Sequence, residues 1–358
     1  MGKNKEAAEK ETRLGAVGGQ AVIEGVMMKS KDDIAIAVRK ESGEIVKKVK
    51  PYKSIKEKIK VFNIPIIRGF INFIEMMSLS MSTMTESADM LGLDDIIDEK
   101  SEQNEQNEQN EKDKEQKNEN ESSKMVMIAS IVGVVLGLAL SFGLFFALPT
   151  FIGNLIKDAT KVEKGWFIST VEGITRLTIF VVYILLVSLL KDIRRTFEYH
   201  GAEHMSVFCY EANEDLTVEN VRKHSRFHPR CGTSFLTVMM IIGVIISSII
   251  PATLGFWQRL LVKLMIFPFV IGIGFEFIKY AGKHSSHIIV RIISAPGLWI
   301  QRLTTKKPDD QQLEVAIVSL RLALKMDTMD TMDTIEEIAK VVEVVEIEKA
   351  EEVEEIVE

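Results

Sequence analysis

The sequence predicts a mainly α-helical membrane protein, a four-helix polytopic bundle that carries a small β-containing cytoplasmic region at its N-terminus. Hydrophobic residues make up 46% of the chain and collect in long uncharged runs, which charged stretches separate. A helix of about 20 apolar residues crosses the roughly 30 Å hydrocarbon core of a bilayer. The N-terminal part instead shows short apolar segments around turn residues, which is typical of strands.

Residues 13–93 are predicted to form a β-hairpin followed by an amphipathic helix. Ala21–Met28 favours one short strand, and the apolar runs that flank Glu41–Glu44 favour a hairpin. From Pro65 to about Leu91 apolar residues dominate one face, and proline suits the first turn of a helix. Charged residues interrupt this segment too often for a span, so we expect it to lie against the membrane or the bundle. A soluble amphipathic core helix is the alternative.

Residues 94–124 repeat Glu, Gln and Asn and are predicted to be a disordered acidic linker, because such a composition cannot bury a core. Residues 306–358 are predicted to hold a helix that begins near Asp309, followed by an acidic tail. The net charge of −7 comes largely from this linker and this tail, so it argues neither for nor against nucleic-acid binding by the folded part. We expect no nucleic-acid partner, and the acidic tail could bind a protein.

Four apolar segments are predicted to cross a membrane within a domain of residues 125–305, at about 126–148, 167–190, 235–254 and 260–278. The segment Ile288–Leu303 is shorter and is broken by a Pro-Gly pair, which places it at the membrane interface. Near the start of the second span, Glu172 and Arg176 are four residues apart and can pair. Lys263 in the fourth span can extend outward to the headgroups.

Lysine and arginine are concentrated in the loop 191–234 and in the segment that follows the fourth span. Such an excess is typical of cytoplasmic segments, so we expect this loop and the C-terminal side to face the cytoplasm. The N-terminal region then lies on the same side. The sequence thus predicts a multi-pass protein with the lipid bilayer as its partner and both termini in the cytoplasm.

The loop 191–234 contains a metal-binding pattern, His200-x-x-Glu203-His204. On a helix His200 and His204 share one face, so both imidazole rings can reach a single ion. Glu203 borders the same face and could act as general base, and the same order of residues marks inverted zinc peptidases. The pattern therefore predicts a divalent metal ion, zinc, with Glu203 as the catalytic residue.

Catalytic zinc usually takes a third protein ligand, for which the candidates are Glu276, His228 and Cys231. Glu276 is a carboxylate inside an apolar span, where charge is costly, although it could instead pair with Arg194 or Lys279. The spacing of His224, His228 and Cys231 allows three interpretations: a turn that seats the loop, a second metal site, or completion of the first site together with Cys209. The pair His284 and His287 can also chelate, and Glu24 could face the site.

Five segments of the chain carry a resemblance to a known family: Gly18–Met28, Pro65–Gly69, Tyr199–His204, His228–Phe235 and Leu313–Ile317. In them the chain resembles the YqhQ-like family of bacterial membrane proteins, a domain of unknown function that is described as a predicted metal-dependent enzyme. The resemblance covers about residues 13–325. It implies a protein of the bacterial cell membrane and supports the metal interpretation, but it implies no substrate.

The sequence therefore favours a cytoplasm-facing metal-dependent enzyme of the hydrolase type. The alternative is a non-enzymatic membrane scaffold or regulatory protein, whose histidines and cysteines hold a structural metal or none. A transporter is the weaker alternative, because the predicted spans contain few charges and no visible inverted repeat.

Overall fold

The computed structural model describes residues 13–55, 60–92, 132–283 and 287–326. Over these ranges the protein is mainly helical and has β structure near its N-terminus, as the sequence predicted, and this β structure is a four-stranded sheet. The predicted linker 94–124, the start of the first predicted span at 126–131 and the acidic tail from residue 327 onward lie outside the described residues.

The sheet is antiparallel with its strands in sequential order. Its strands are β1 (Gly18–Val22), β2 (Gly25–Lys29), β3 (Asp33–Arg39) and β4 (Ile45–Pro51). The prediction of a single strand at Ala21–Met28 is wrong, because Ile23 and Glu24 form a turn between β1 and β2. Glu24 adopts a φ of 49°. Turns with positive φ usually contain glycine or asparagine at this position, so a glutamate there does not indicate a turn in the sequence.

A short 3-10 turn at Lys60–Asn63 precedes the first of the helices. In chain order the helices are α1 (Ile67–Leu91), α2 (Val132–Thr160), α3 (Gly165–Val187), α4 (Lys191–Glu211), α5 (Val218–Val221), α6 (Gly232–Ser247), α7 (Phe256–Lys283), α8 (Ile288–Thr304) and α9 (Asp310–Ala323).

Three helices in the described residues are long and apolar enough to cross a membrane: Val132–Thr160, Gly165–Val187 and Phe256–Ala281. The third predicted span, 235–254, corresponds to α6, which has 16 residues. At about 1.5 Å per residue α6 is roughly 24 Å long, shorter than the hydrocarbon core. The apolar run continues beyond its end, but the chain turns at Ser248 and a helix does not form there. By length, three of the four predicted spans are therefore supported.

The first spanning helix ends later than predicted, because it continues past Pro149 to Thr160. A π-helical segment, Gly143–Ala147, stands directly before the proline. Proline lacks an N–H group and clashes with the preceding turn of a regular helix, whereas a local π-turn changes the hydrogen-bond pattern there. This insertion lets the helix continue through the proline, which stands one residue after the predicted end of the span.

The two faces of the sheet bury different sets of side chains. Ala35 and Ala37 of β3 face the hydrophobic cluster formed with α4 and α9. Ile36 and Val38, the alternate residues, face a second cluster that includes Leu79 of α1. The sheet thus lies between α1 on one side and the pair α4 and α9 on the other. Helix α9, which the sequence placed with the tail, belongs to this core.

Candidate metal centre

Helix α4 supplies the His-x-x-Glu-His pattern from a segment that is buried over most of its length. His200 and His204 lie on the same face, with ring centroids 4.5 Å apart. Gly201 allows the chain after α8 to approach this helix, because a Cβ there would overlap the carbonyl oxygen of Lys306. Sequence and local geometry agree here, since residues four apart on a helix share a face.

Cys231 joins the two histidines from the N-cap position of α6. Its Sγ lies 3.2 Å from Nε2 of His200. One ligand atom from each of His200, His204 and Cys231 lies within 4.8 Å of the other two. Two imidazoles and a thiolate form a donor set that suits zinc and other borderline-soft divalent ions.

Backbone carbonyls fix the orientation of both histidine rings. Nδ1 of His200 lies 2.9 Å from the carbonyl oxygen of Thr304, and Nδ1 of His204 lies 2.6 Å from that of Arg226. Because a carbonyl oxygen only accepts hydrogen bonds, each Nδ1 carries the hydrogen. In the neutral rings the lone pair is therefore on Nε2, the atom that faces Cys231 in His200. Outer contacts of this kind orient histidine ligands in metal sites.

The thiol and the imidazoles perturb each other strongly. Burial alone would raise the pKa of Cys231, but the neighbouring His200 and His204 hold it well below its ordinary value. Burial alone would lower the pKa of His200, but Cys231, Glu203 and the Thr304 carbonyl raise it to about 9. Without a metal ion both shifts act in the same sense and favour a thiolate beside an imidazolium. The dipole at the N-terminus of α6 favours the thiolate as well.

Glu203 lies beside this group and is almost fully buried, with Oε2 3.4 Å from Nε2 of His204. Strand β1 covers it at Gly19, where a Cβ would come within 2.8 Å of the Glu203 Cγ. Gln20 holds the strand in place by donating from Nε2 to Oγ1 of Thr83 on α1, at 2.6 Å. The Gly-Gly-Gln segment thus forms the wall of the candidate site next to its carboxylate.

His228 lies next to the three converging residues but is not one of them. Its ring centroid is 5.6 Å from that of His204. Nδ1 of His228 accepts the backbone N–H of Arg230 at 3.3 Å, so the hydrogen of the neutral ring is on Nε2. That atom lies 3.7 Å from Oε2 of Glu211, and burial lowers the pKa of His228. Nε2 of His228 faces Glu211 but lies beyond hydrogen-bond distance, so it is buried without a hydrogen-bond partner.

Glu276 and Glu24 are held by arginines outside the converging group. Arg68 of α1 forms a two-point ion pair with Glu276, with Nε 2.5 Å from Oε1. This partner is neither of the two that the sequence suggested. Glu24 accepts hydrogen bonds from Arg195 and from the hydroxyl of Tyr199, which ties the β1–β2 turn to α4.

Cys209, Glu214 and His224 form a separate group whose ligand atoms also lie within 4.8 Å of one another. The Sγ of Cys209 donates to the carbonyl of Asp215 at 3.5 Å, and burial raises the pKa of this thiol to about 11. Nε2 of His224 lies 3.1 Å from Oε2 of Glu214. A protonated thiol is a poor metal ligand, so these contacts fit a turn that seats the loop. Of the pair His284 and His287, His284 lies outside the described residues.

Two buried side chains that sequence reasoning missed hold the turn around His228. Gln301 of α8 accepts the backbone N–H of His228 and donates to its carbonyl, both at 2.7 Å, and also donates to Ser234 at 2.8 Å. Glu211 accepts from the Arg230 guanidinium and, at 3.0 Å, from the backbone N–H of Gly15. Neither residue stands in a recognisable motif, and their contacts are with distant backbone groups that a sequence does not indicate.

The comparisons with known proteins agree with the resemblance seen in the motifs. The family described as Protein of unknown function (DUF1385) matches residues 64–326. An uncharacterized protein of Bacillus subtilis (strain 168), YqhQ, is 33% identical over 314 residues, which cover 88% of this chain and 94% of that protein. No solved structure gave a significant match. The chain belongs to this YqhQ-like family of proteins of unknown function.

Proposed function

We propose that the chain is a multi-pass protein of the bacterial cell membrane that binds one zinc ion through His200, His204 and Cys231 on its cytoplasmic side. We further propose that it is a metal-dependent hydrolase with Glu203 as general base. One observation carries this proposal: three ligand atoms from two helices lie within 4.8 Å of one another, and both imidazoles are oriented by backbone carbonyls.

The exposed apolar surface supports the membrane part of the proposal. Side chains in the middle of α2, such as Leu136 and Leu138, are 63% and 67% exposed. In α1 the residues Ile74, Met77, Met81 and Met84 form an apolar face that is exposed, while its polar residues point toward the sheet and α7. Soluble monomers rarely expose contiguous apolar surface on this scale. A bilayer would cover the spans, and α1 would lie along its surface.

The donor set fits a catalytic rather than a closed zinc site. Catalytic sites usually have three protein ligands and one open position, whereas structural sites are closed by a fourth ligand. When bound, the ion would supply a Lewis acid at this position. Glu203 lies beside His204 and can accept a proton from a nucleophile. His228 and Glu211 adjoin the group and hold the turn that carries Cys231.

Metal analysis of the full-length protein, purified in detergent without chelators, tests the binding step. We expect about one equivalent of zinc in the native protein. His200→Ala, His204→Ala and Cys231→Ala should each lose most of it. His224→Ala and Glu276→Gln, which change residues outside the converging group, should retain it. Metal-free native protein, or zinc that survives the His200→Ala/His204→Ala change, would overturn the proposal.

The catalytic step needs a variant that keeps the metal. Glu203→Gln should bind zinc as the native protein does but lose hydrolysis in a screen of ester, peptide and phosphodiester substrates. If any such activity is equal in the native protein and in Glu203→Gln, Glu203 is not the base. If no substrate is turned over by the zinc-loaded native protein, the site is that of a scaffold with a structural metal.

The contact between Cys231 and His200 favours a second candidate function, that of a thiol nucleophile. A thiolate beside an imidazolium at a helix N-terminus is the arrangement of an activated cysteine. Iodoacetamide labelling separates the candidates. In the metal hydrolase, zinc protects Cys231 from labelling and removal of zinc abolishes activity. In the thiol enzyme, activity survives chelation and is lost on labelling.

A further inference from the structure

A buried cluster of charged and polar residues connects α2, α3 and α7. It contains none of the candidate metal ligands. Glu172 of α3 accepts from Nη2 of Arg259 at 3.1 Å and from Nζ of Lys263 at 2.5 Å. Lys263 also donates to Oγ1 of Thr150 on α2 at 2.9 Å. Arg259 is 0% exposed, Glu172 2% and Lys263 5%. Lys263 is therefore buried between helices, whereas the sequence had suggested that it extends outward.

The charges of this cluster do not balance. Two cations, Arg259 and Lys263, share the single carboxylate of Glu172. Arg176 stands one turn further along α3, where the sequence predicted a pair with Glu172, but its Nε donates to the carbonyl of Phe145 at 2.8 Å. Uncompensated positive charge inside a bundle of apolar helices is costly. The cluster is short of an anion.

The hydrogen-bond donors of the cluster are also incomplete. Nε and Nη1 of Arg259 are buried and have no acceptor. The hydroxyl of Ser169, one turn before Glu172 on the same helix face, is buried without a partner as well. Lys263 has three N–H groups and uses two. Buried donors are almost always satisfied, so these groups indicate an oxygen-rich acceptor.

The depth of the cluster suits a lipid phosphate. Arg259 is three residues from the start of α7, and Glu172 and Lys263 are seven residues from the starts of their helices. These offsets correspond to about 5–10 Å along the helix axes. The polar layer on each side of a bilayer is roughly 5–8 Å thick.

We propose that this cluster binds one phosphate group, with Arg259, Lys263 and Ser169 as its donors. The phosphate can belong to the headgroup of an anionic phospholipid or to a free phosphate ion. Guanidinium and ammonium groups both pair strongly with phosphate oxygens. This site is independent of the zinc site, since it shares no residue with it.

Thermal unfolding of the delipidated full-length protein in neutral detergent tests the proposal. The added probes are phosphatidylglycerol, diacylglycerol with the same acyl chains, and inorganic phosphate. We expect a saturable rise in melting temperature with phosphatidylglycerol or with phosphate, and a smaller rise or none with diacylglycerol. A response to phosphatidylglycerol alone identifies the lipid headgroup, and a response to phosphate identifies the free ion. Equal responses to phosphatidylglycerol and diacylglycerol, with none to phosphate, overturn the proposal.

Variants connect the response to these residues. Arg259→Gln should raise the half-saturating concentration of the active probe at least about tenfold, as expected for the loss of a charge-assisted hydrogen bond. Ser169→Ala is a milder change that preserves the ion pairs and should weaken binding in the same direction if Arg259→Gln does not fold. Lys164→Gln removes an exposed lysine at the same end of α3 and should bind as the native protein does. If Ser169→Ala and Lys164→Gln both match the native protein, the phosphate is not held here.

Discussion

The Nε2 atom of His200 lies 3.2 Å from the Sγ of Cys231, although the two residues are 31 positions apart and belong to different elements. Cys231 helps to raise the pKa of His200 to about 9, which favours a proton on the His200 ring. His200 in turn lowers the pKa of Cys231, which favours the thiolate. A metal ion that binds through Nε2 must displace that proton. The contact therefore couples metal binding to pH.

Zinc affinity should rise with pH and then level off. Below the pKa of His200, about 9, each unit of pH should change the affinity about tenfold, because one proton leaves His200. The lowered pKa of Cys231 reduces the contribution of its thiol to this pH dependence. Chelator competition between about pH 6.5 and about pH 9.5 measures this slope. An affinity that does not change over this range would show that His200 is not a ligand.

Gly201→Ala should disturb the candidate metal centre from outside it. The new Cβ would overlap the Lys306 carbonyl oxygen, so the chain after α8 must move and carry the Thr304 carbonyl away from His200. Such overpacking costs roughly 1–3 kcal/mol, and zinc affinity should fall as well. Gly232→Ala is the matched control, because nothing lies within 4 Å of a Cβ at Gly232. It should be neutral or stabilise α6 by up to about 1 kcal/mol. Thermal unfolding and chelator competition measure both effects.

Gln301→Leu should destabilise the fold and loosen Cys231. The change removes three hydrogen bonds and leaves the N–H and carbonyl of His228 and the hydroxyl of Ser234 without partners. Unsatisfied buried groups cost about 1–3 kcal/mol each, so for three groups we expect a total loss of at least about 3 kcal/mol. Gln311→Leu, at an exposed position of α9, is the control. If Gln301→Leu and Gln311→Leu both have the melting temperature of the native protein, the hydrogen bonds of Gln301 do not hold this turn.

Glu211 should make the native protein less stable as the pH becomes acidic. Burial opposes ionisation, but the neighbouring His228, the hydrogen bond from the Gly15 N–H and the charge of Arg230 hold the pKa of Glu211 below its ordinary value. A lowered folded-state pKa means that the stabilisation is present above the unfolded-state pKa and is lost as pH falls through the folded-state pKa. Glu211→Gln should therefore melt below the native protein near pH 7, and the gap should close as the medium becomes acidic.

The exposed residue Glu219 offers the control for this measurement, since Glu219→Gln should have nearly the same melting temperature as the native protein at every pH. Melting curves across the acidic range give both comparisons. A gap between the native protein and Glu211→Gln that stays constant with pH would mean that packing, not ionisation, accounts for the effect.

The sequence predicted those features of this protein that arise over short distances along the chain. Residues four apart on one helix place His200 and His204 on one face, and long uncharged runs indicate the long apolar helices. Cys231 remained one of three candidates, because no local pattern says which distant residue packs against α4. The carbonyls of Thr304 and Arg226 could not be predicted at all, since every residue has a carbonyl and only the fold selects one.

Two misjudged segments have local causes. The turn at Ile23 and Glu24 lacks glycine and asparagine, so an apolar run hides a chain reversal. Pro149 stands one residue after the predicted end of the first span, but the π-helical segment before it lets the helix continue. In both cases an unusual backbone conformation replaces the residue type that normally announces the structure.

The covering of the sheet by α9 joins residues from nearly opposite ends of the described chain. Arg39 pairs with Glu314, 275 positions away, and Ser319 donates to the carbonyl of Ala35. During synthesis the strands leave the ribosome long before the helix that covers them exists. A chain that stalls before α9 therefore exposes the apolar part of the sheet that α9 covers to chaperones and proteases. Cellular quality control can in this way distinguish unfinished copies from finished ones.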